Sequence, residues 1–158
     1  MFGFFKVKKM TIVSPADGDI VALEEVPDQV FSEKMAGDGI AITPRSNTFV
    51  APVAGVVSKI FSTNHAYSIT AKNGLEVLVH IGLDTVALKG EGFKRLVEEG
   101  KEVSIGQPII SADLEFIQEQ GKEIITPIVL NYEKSMSIET PHIRTIREGE
   151  LLLEVTCK

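Results

Sequence analysis

The sequence has no tryptophan, one cysteine and no long apolar run. Each absence excludes something. A lone cysteine, Cys157, closes no internal disulfide, which fits a chain that works in a reducing cytoplasm. Without an apolar run of about 18–20 residues there is no candidate membrane-spanning helix. The opening MFGFFKVKKM has neither the apolar stretch nor the cleavage site of a secretory signal. With Tyr67 and Tyr132 as the only tyrosines, no aromatic cluster for reading a sugar is visible. Basic residues are outnumbered 16 to 22, and a net charge of −6 argues against nonspecific nucleic-acid binding.

What is present fits one globular domain. The chain has 158 residues, 44% hydrophobic and 24% charged, enough for a good core. Residues 1–10 mix phenylalanine and lysine and are expected to be a flexible N-terminal segment, with the domain running over 11–158. Apolar and basic residues together also suit a membrane-surface tag, but a frayed or docked terminal strand is the simpler reading.

Strand signals dominate. Residues 11–23 read as strand, turn and strand, with the turn at Pro15–Gly18. A similar segment returns at residues 49–60, where Pro52 and Gly55 repeat the Pro-x-x-Gly spacing. A second pair follows: Val103, Gly106 and Ile109, then Ile146, Gly149 and Leu152. These repeats predict an all-β fold, an antiparallel sandwich or compact barrel with internal pseudo-symmetry. One or two short helices are expected within it. Residues 93–99 are expected to be helical, closed by Gly100. So are residues 114–120, with Asp113 as N-cap and Gly121 after the end. Residues 124–131 read as a strand, and Pro127 assigns it to an edge or a bulge.

The stretch from Thr63 to Gly92 organises the rest and holds two of the three histidines. Between them Asn73-Gly74 predicts a two-residue hairpin turn, since type I′ needs φ > 0 at both central residues. Lys72 then faces Leu75, Tyr67 faces His80 and His65 faces Gly82. With side chains alternating at period two, His65, Tyr67 and His80 share one face. Diagonal partners sit about 7–8 Å apart, so two imidazoles converge. Such a pair can ligate a metal or share acid–base work. One ring can also act as nucleophile while the other donates to the anion that forms. The plainer reading is two strand histidines satisfied by their neighbours.

The motifs TNHAYSI, LVHIGLDTV and KGEGFKRL, with PADGDIVALEEVPD, GDGIAI and APVAG earlier, resemble the glucose-type enzyme IIA family of the bacterial sugar phosphotransferase system. The resemblance covers nearly the whole chain from Val13. No IIB or IIC sequence is attached, so a free-standing member is expected. The resemblance implies a cytoplasmic phosphocarrier, a phosphotransferase component with a phosphohistidine intermediate. It would accept a phosphoryl group from the histidine phosphocarrier HPr and pass it to the cysteine of a IIB domain. Peripheral membrane association would come only through the permease.

Residue by residue, the family's acceptor histidine matches His80, its second active-site histidine His65 and its supporting threonine Thr63. Asp28 and Asp84 match acidic residues flanking the family's site. The apolar docking surface falls near Val30, Phe31, Met35, Phe61 and Leu78; Met35 and Leu78 stand where other members carry phenylalanine, and Phe31, Phe61 and Leu78 read equally as core residues. His142 matches no active-site position. Asp28 and Asp84 make sense at the rim, pairing with arginines of partners; otherwise they are solvated loop carboxylates. No intrinsic metal site and no cofactor are expected, beyond weak zinc at His65 and His80.

Two other functions compete. A biotinyl- or lipoyl-like carrier would share the Pro-x-x-Gly repeats but needs a lysine at a hairpin tip. Neither Lys34-Met35 nor Lys9-Met10 sits in such a hairpin. A metal-dependent hydrolase using His65 and His80 lacks a clear third ligand, Asp84 and His142 being the only candidates.

Overall fold

The computed structural model describes residues 8–158. Fourteen strands carry the chain. They are β1 (Lys8–Val13), β2 (Gly18–Val21), β3 (Asp38–Pro44), β4 (Thr48–Val50), β5 (Gly55–Ile60), β6 (Ala66–Thr70) and β7 (Glu76–His80). Then follow β8 (Phe93–Arg95), β9 (Glu102–Val103), β10 (Pro108–Ala112), β11 (Thr126–Asn131), β12 (Met136–Glu139), β13 (Thr145–Ile146) and β14 (Leu151–Cys157). Two short helices interrupt them, α1 (Gln29–Ser32) and α2 (Leu114–Glu119).

One eight-stranded antiparallel sheet runs β13-β2-β3-β11-β7-β6-β5-β9. Two three-stranded sheets, β1-β14-β12 and β4-β10-β8, complete the sandwich. The main core lies between the layers, built from residues such as Phe49, Tyr67, Ile69, Val77, Val79, Ile110, Ile128 and Leu153.

The two halves are related by a pseudo-two-fold. Val13 N–H donates to Pro52 O at 2.9 Å, and Val50 N–H donates to Pro15 O at 2.9 Å. Gly149 N–H bonds Ser14 O as Gly106 N–H bonds Ala51 O. The repeated glycines are equivalent too: Gly18 pairs with Ile146 and Gly55 with Val103. A Cβ on Gly18 would lie 2.5 Å from Thr43 O, and one on Gly55 2.2 Å from Thr70 O. Glycine recurs because strand backbones meet there too closely for any side chain. The symmetry breaks where the strands turn back. The β2–β3 connection, residues 22–37, carries a 3₁₀ turn and α1. The equivalent β5–β6 connection is only residues 61–65.

Several expectations change. Residues 93–99 are not a helix: Phe93–Arg95 form β8, paired with β10. Antiparallel pairing and the burial of Phe93 against the core outweigh the local helical pattern. The helix after Asp113 forms as expected, its carboxylate accepting from Phe116 N–H at 3.1 Å. The strand containing Pro127 is not at an edge. β11 lies in the middle of the large sheet, between β3 and β7. Proline is tolerated because Pro127 pairs with Ala41 of β3 while the ladder to β7 starts only at Ile128. Neither α1 nor β12 is marked by a sequence signal strong enough to predict it. At the N-terminus, Lys8, Lys9 and Met10 pair with Cys157, Thr156 and Val155. The remainder of the expected flexible segment, residues 1–7, lies outside the described residues.

Candidate active site

The hairpin that carries His80 is built differently from the two-residue turn. Ala71 N–H donates to Leu75 O at 2.8 Å and Gly74 N–H to Ala71 O at 2.9 Å. Gly74 takes φ +93° while Asn73 keeps a negative φ, which excludes type I′. The loop is therefore Lys72-Asn73-Gly74, and Asn73 Oδ1 accepts from Leu75 N–H at 3.1 Å. One extra loop residue shifts the register by one: His80 faces Ala66, and Tyr67 faces Val79. A one-residue slip moves a side chain to the other face. Tyr67 accordingly points into the core, fully buried, its Oη donating to Val50 O at 2.7 Å.

His65 should by the same slip also have moved away from His80. It has not, because it is not in a strand. β6 begins at Ala66, and His65 belongs to the turn before it. Asn64 there takes the left-handed conformation, φ +58°, which asparagine tolerates. Phe61 N–H closes the turn onto Ala66 O at 3.0 Å, and Ile81 N–H donates to His65 O at 2.8 Å. The result is the expected convergence by another route. The two rings meet edge to face, centroids 4.9 Å apart and planes at 79°.

Each ring is oriented by an acceptor or hydroxyl. His80 Nδ1 lies 2.7 Å from Gly82 O. A carbonyl only accepts, so Nδ1 carries the proton and Nε2 keeps its lone pair. Gly82 takes φ +77°, and a Cβ there would lie 2.6 Å from Thr85 Cγ2. Thr85 Oγ1–H donates to Ile81 O at 2.7 Å and fixes this corner. His65 Nδ1 lies 2.5 Å from Thr63 Oγ1. With the hydroxyl donating, the His65 proton sits on Nε2, which is left free to act as a donor.

Electrostatics keep both rings neutral near pH 7. His65 is 3% exposed. Its burial, and then the charge His80 would carry, hold its pKa down to about 4. Burial also lowers His80, opposed by the Gly82 carbonyl and the Asp28 carboxylate. Between about pH 6.5 and 4 the unfolded chain binds a proton at residue 65 that the folded chain refuses. The penalty is thus absent above about pH 6.5 and grows as pH falls toward 4. From this source the protein is expected to lose roughly 3 kcal/mol of stability across that window. Urea unfolding at intervals from pH 7 to 4 measures it, and His65→Gln should flatten the slope. An unchanged slope in the variant contradicts the assignment.

Asp28 caps α1, accepting from Val30 N–H at 2.9 Å. Asp84 is exposed and left-handed, φ +58°, and Lys122 Nζ bonds its Oδ2 at 2.8 Å. That ion pair holds the Asp84 carboxyl below its ordinary range. A partner's arginine would have to share or displace Lys122. Phe31 follows the core reading: it is 5% exposed, packed with Leu23, Val26, Ala41, Leu83 and Val129. It walls His80, ring centroids 5.1 Å apart, and offers almost no surface to a partner. Phe61, half-buried, packs edge-on against His65 at 5.3 Å and keeps part of its surface free. The accessible apolar residues are Val30 at 47% and Met35 at 72%, with Leu78 half-buried. Val86, 54% exposed and two residues after Asp84, joins them; it closes the motif LVHIGLDTV, but the motif assigns it no role of its own.

Among the described residues no group of three or more His, Cys, Asp or Glu is placed to hold a metal ion. A cavity of about 810 Å³ lies elsewhere, lined by Met10, Val53, Val103 and Ile105 among others.

Comparison with known proteins places the chain in one class. The structure superposes on the solved glucose permease IIA from Mycoplasma capricolum with a TM-score of 0.88, covering 98% of this chain and 99% of that one at 39% identity. Residues 10–136 match the family described as phosphoenolpyruvate-dependent sugar phosphotransferase system, EIIA 1. The chain belongs to that family. The glucose-specific EIIA component of Buchnera aphidicola is 46% identical over 150 residues, 95% of this chain and 93% of that protein. The N-acetylglucosamine-specific EIICBA component of Klebsiella pneumoniae is 55% identical over 119 residues, of which this chain spans only 18% of the length.

Proposed function

We propose that this protein is a phosphoryl carrier that accepts on His80 and uses His65 as helper. The observation that carries this reading is the Nδ1–H···O=C bond from His80 to Gly82, 2.7 Å long. It fixes the tautomer whose Nε2 lone pair is free, with a second imidazole 4.9 Å away. The donor is the phosphohistidine of HPr. Its P–N bond breaks, the electron pair returns to the donor imidazole, and Nε2 of His80 forms the new P–N bond. In the second step a IIB cysteine thiolate forms a P–S bond and the pair returns to Nε2. Such transfers depend on positioning and charge stabilisation more than on covalent help.

His65, oriented by Thr63, donates Nε2–H to a phosphoryl oxygen. A dianion beside it also favours its protonated form. Asp28 and Asp84 lie at the rim for arginines of HPr and IIB, and Val30, Met35, Phe61, Leu78 and Val86 form the apolar patch these partners cover. Phe31 supports that patch from beneath. Residues 11–158 act as one cytoplasmic domain that reaches the membrane only through its permease. Relatives named for glucose, N-acetylglucosamine and glucosides support a permease for a glucose-type sugar. The test is incubation with phosphoenolpyruvate and the purified general components. An acid-labile phosphoryl adduct in the mass spectrum supports the reading, and none contradicts it.

Zinc at His65 and His80 needs further ligands from a partner or solvent, because two imidazoles fill half of a four-coordinate shell. Competition with a chelating dye should show no submicromolar affinity for the isolated protein; tight binding would revive a metal-centred role.

A further inference from the structure

His65 reaches His80 only through the turn at residues 61–65, so whatever holds that turn holds the helper. Its backbone is closed by Phe61 N–H to Ala66 O, and Asn64 N–H donates to Phe61 O at 2.7 Å. The residue that sets the bend is Asn64, at φ +58°. Among the described residues, one side-chain hydrogen bond reaches this turn from another element: Arg95 Nε–H donates to Asn64 Oδ1 at 2.9 Å. Arg95 ends β8, in the small sheet β4-β10-β8, whereas the turn belongs to the large sheet. The bond therefore ties the helper's turn to the opposite layer of the sandwich. Arg95 is itself held, its guanidinium 3.7 Å from Glu98, and the neighbouring Glu99 Oε1 accepts from Ile60 N–H at 2.8 Å just before the turn.

We propose that Arg95 is a positioning residue for phosphoryl transfer, acting through Asn64 to fix the left-handed turn that places His65 beside His80. Asn64 has two duties in this arrangement. It adopts a backbone conformation that most residues resist, and it offers the oxygen that Arg95 grips. Arginine suits the post because its planar fork presents its donors in a fixed geometry. Freed from Arg95, the turn keeps its backbone closure but gains play, and the His65 donor drifts from the phosphoryl oxygen. Misplacement on the scale of an ångström is enough to cost up to about 10²-fold in rate.

The inference rests on His80 as acceptor and His65 as helper, and the experiment keeps the two layers apart. The full chain is labelled from phospho-HPr and chased with a IIB domain, with thermal unfolding followed in parallel. Arg95→Gln is expected to take up label on His80 normally but to pass it on roughly tenfold more slowly. Asn64→Gly keeps the left-handed turn and removes the acceptor, and should behave like Arg95→Gln. Asn64→Asp keeps both and should restore transfer. The deciding measurement is the double variant: in a His65→Gln background, Arg95→Gln should slow transfer by less than about twofold, because the group it positions is gone. Wild-type transfer by Arg95→Gln, or an equal slowing with and without His65, overturns the proposal. The second outcome would assign Arg95 a general structural or docking role. Failure of the acceptor assignment shows separately, as undiminished labelling of His80→Gln.

Discussion

His80→Gln is expected to reduce phosphoryl labelling by about 10³-fold or more, the scale on which deleting a nucleophile acts. Glutamine is near in size and can still donate to Gly82 O, so the corner at Gly82 and Thr85 should survive. What it lacks is a nitrogen lone pair, because the amide nitrogen's pair is delocalised. His65 cannot substitute. It is almost fully buried, and its Nδ1 is engaged by Thr63 at 2.5 Å. The measurement is incorporation of label from phospho-HPr, with a thermal melt to show that the variant is folded. Wild-type labelling of a folded His80→Gln protein would move the acceptor elsewhere, His65 first.

His65→Gln is expected to separate uptake from delivery. Glutamine retains an N–H donor near the His65 position, so the group on His80 is still held. Delivery to the IIB cysteine should fall by about 10²–10³, the usual loss for one well-placed electrostatic donor. The asymmetry arises because the imidazole can take up positive charge as the phosphoryl group moves and the amide cannot. A pulse of label from phospho-HPr followed by a chase with IIB reads both steps in one experiment. Equal slowing of both steps would make His65 a general support for the site, and loss of uptake alone would exchange the roles of the two rings.

Most of the architecture was legible because glycine spacing carries it. The matched Pro-x-x-Gly segments mark places where backbones nearly touch, a constraint only one residue type meets. Pro127 misled because its missing N–H says nothing about which neighbour it faces, and in β11 the ladder to β7 begins one residue later. The pairing of the histidines was read correctly from an incorrect register. The Asn-Gly signal identifies a hairpin but not its loop length, and the added residue sent Tyr67 inward. His65 stayed with His80 through the left-handed turn at Asn64, which nothing local in the sequence announces. Gly82, Asn64 and Arg95 were missed for a common reason: each acts through a partner distant in sequence or through its backbone. For Phe31 the sequence left surface and core both open, because apolar residues beside a site look alike until their burial is known, and the core reading holds.

The pairing of β1 with β14 fixes an order in time. Of the described strands, β1 is translated before all the others and its partner β14 after them. β7 likewise waits for β11, the neighbour on its far side from β6. The roughly fifty residues between them need about 3–10 s of synthesis at about 5–20 residues per second. Until then the strand bearing His80 has a bare edge, open to any strand that meets it. A half-made chain is thus exposed at its future centre, and among the described strands β1 waits longest for its partner.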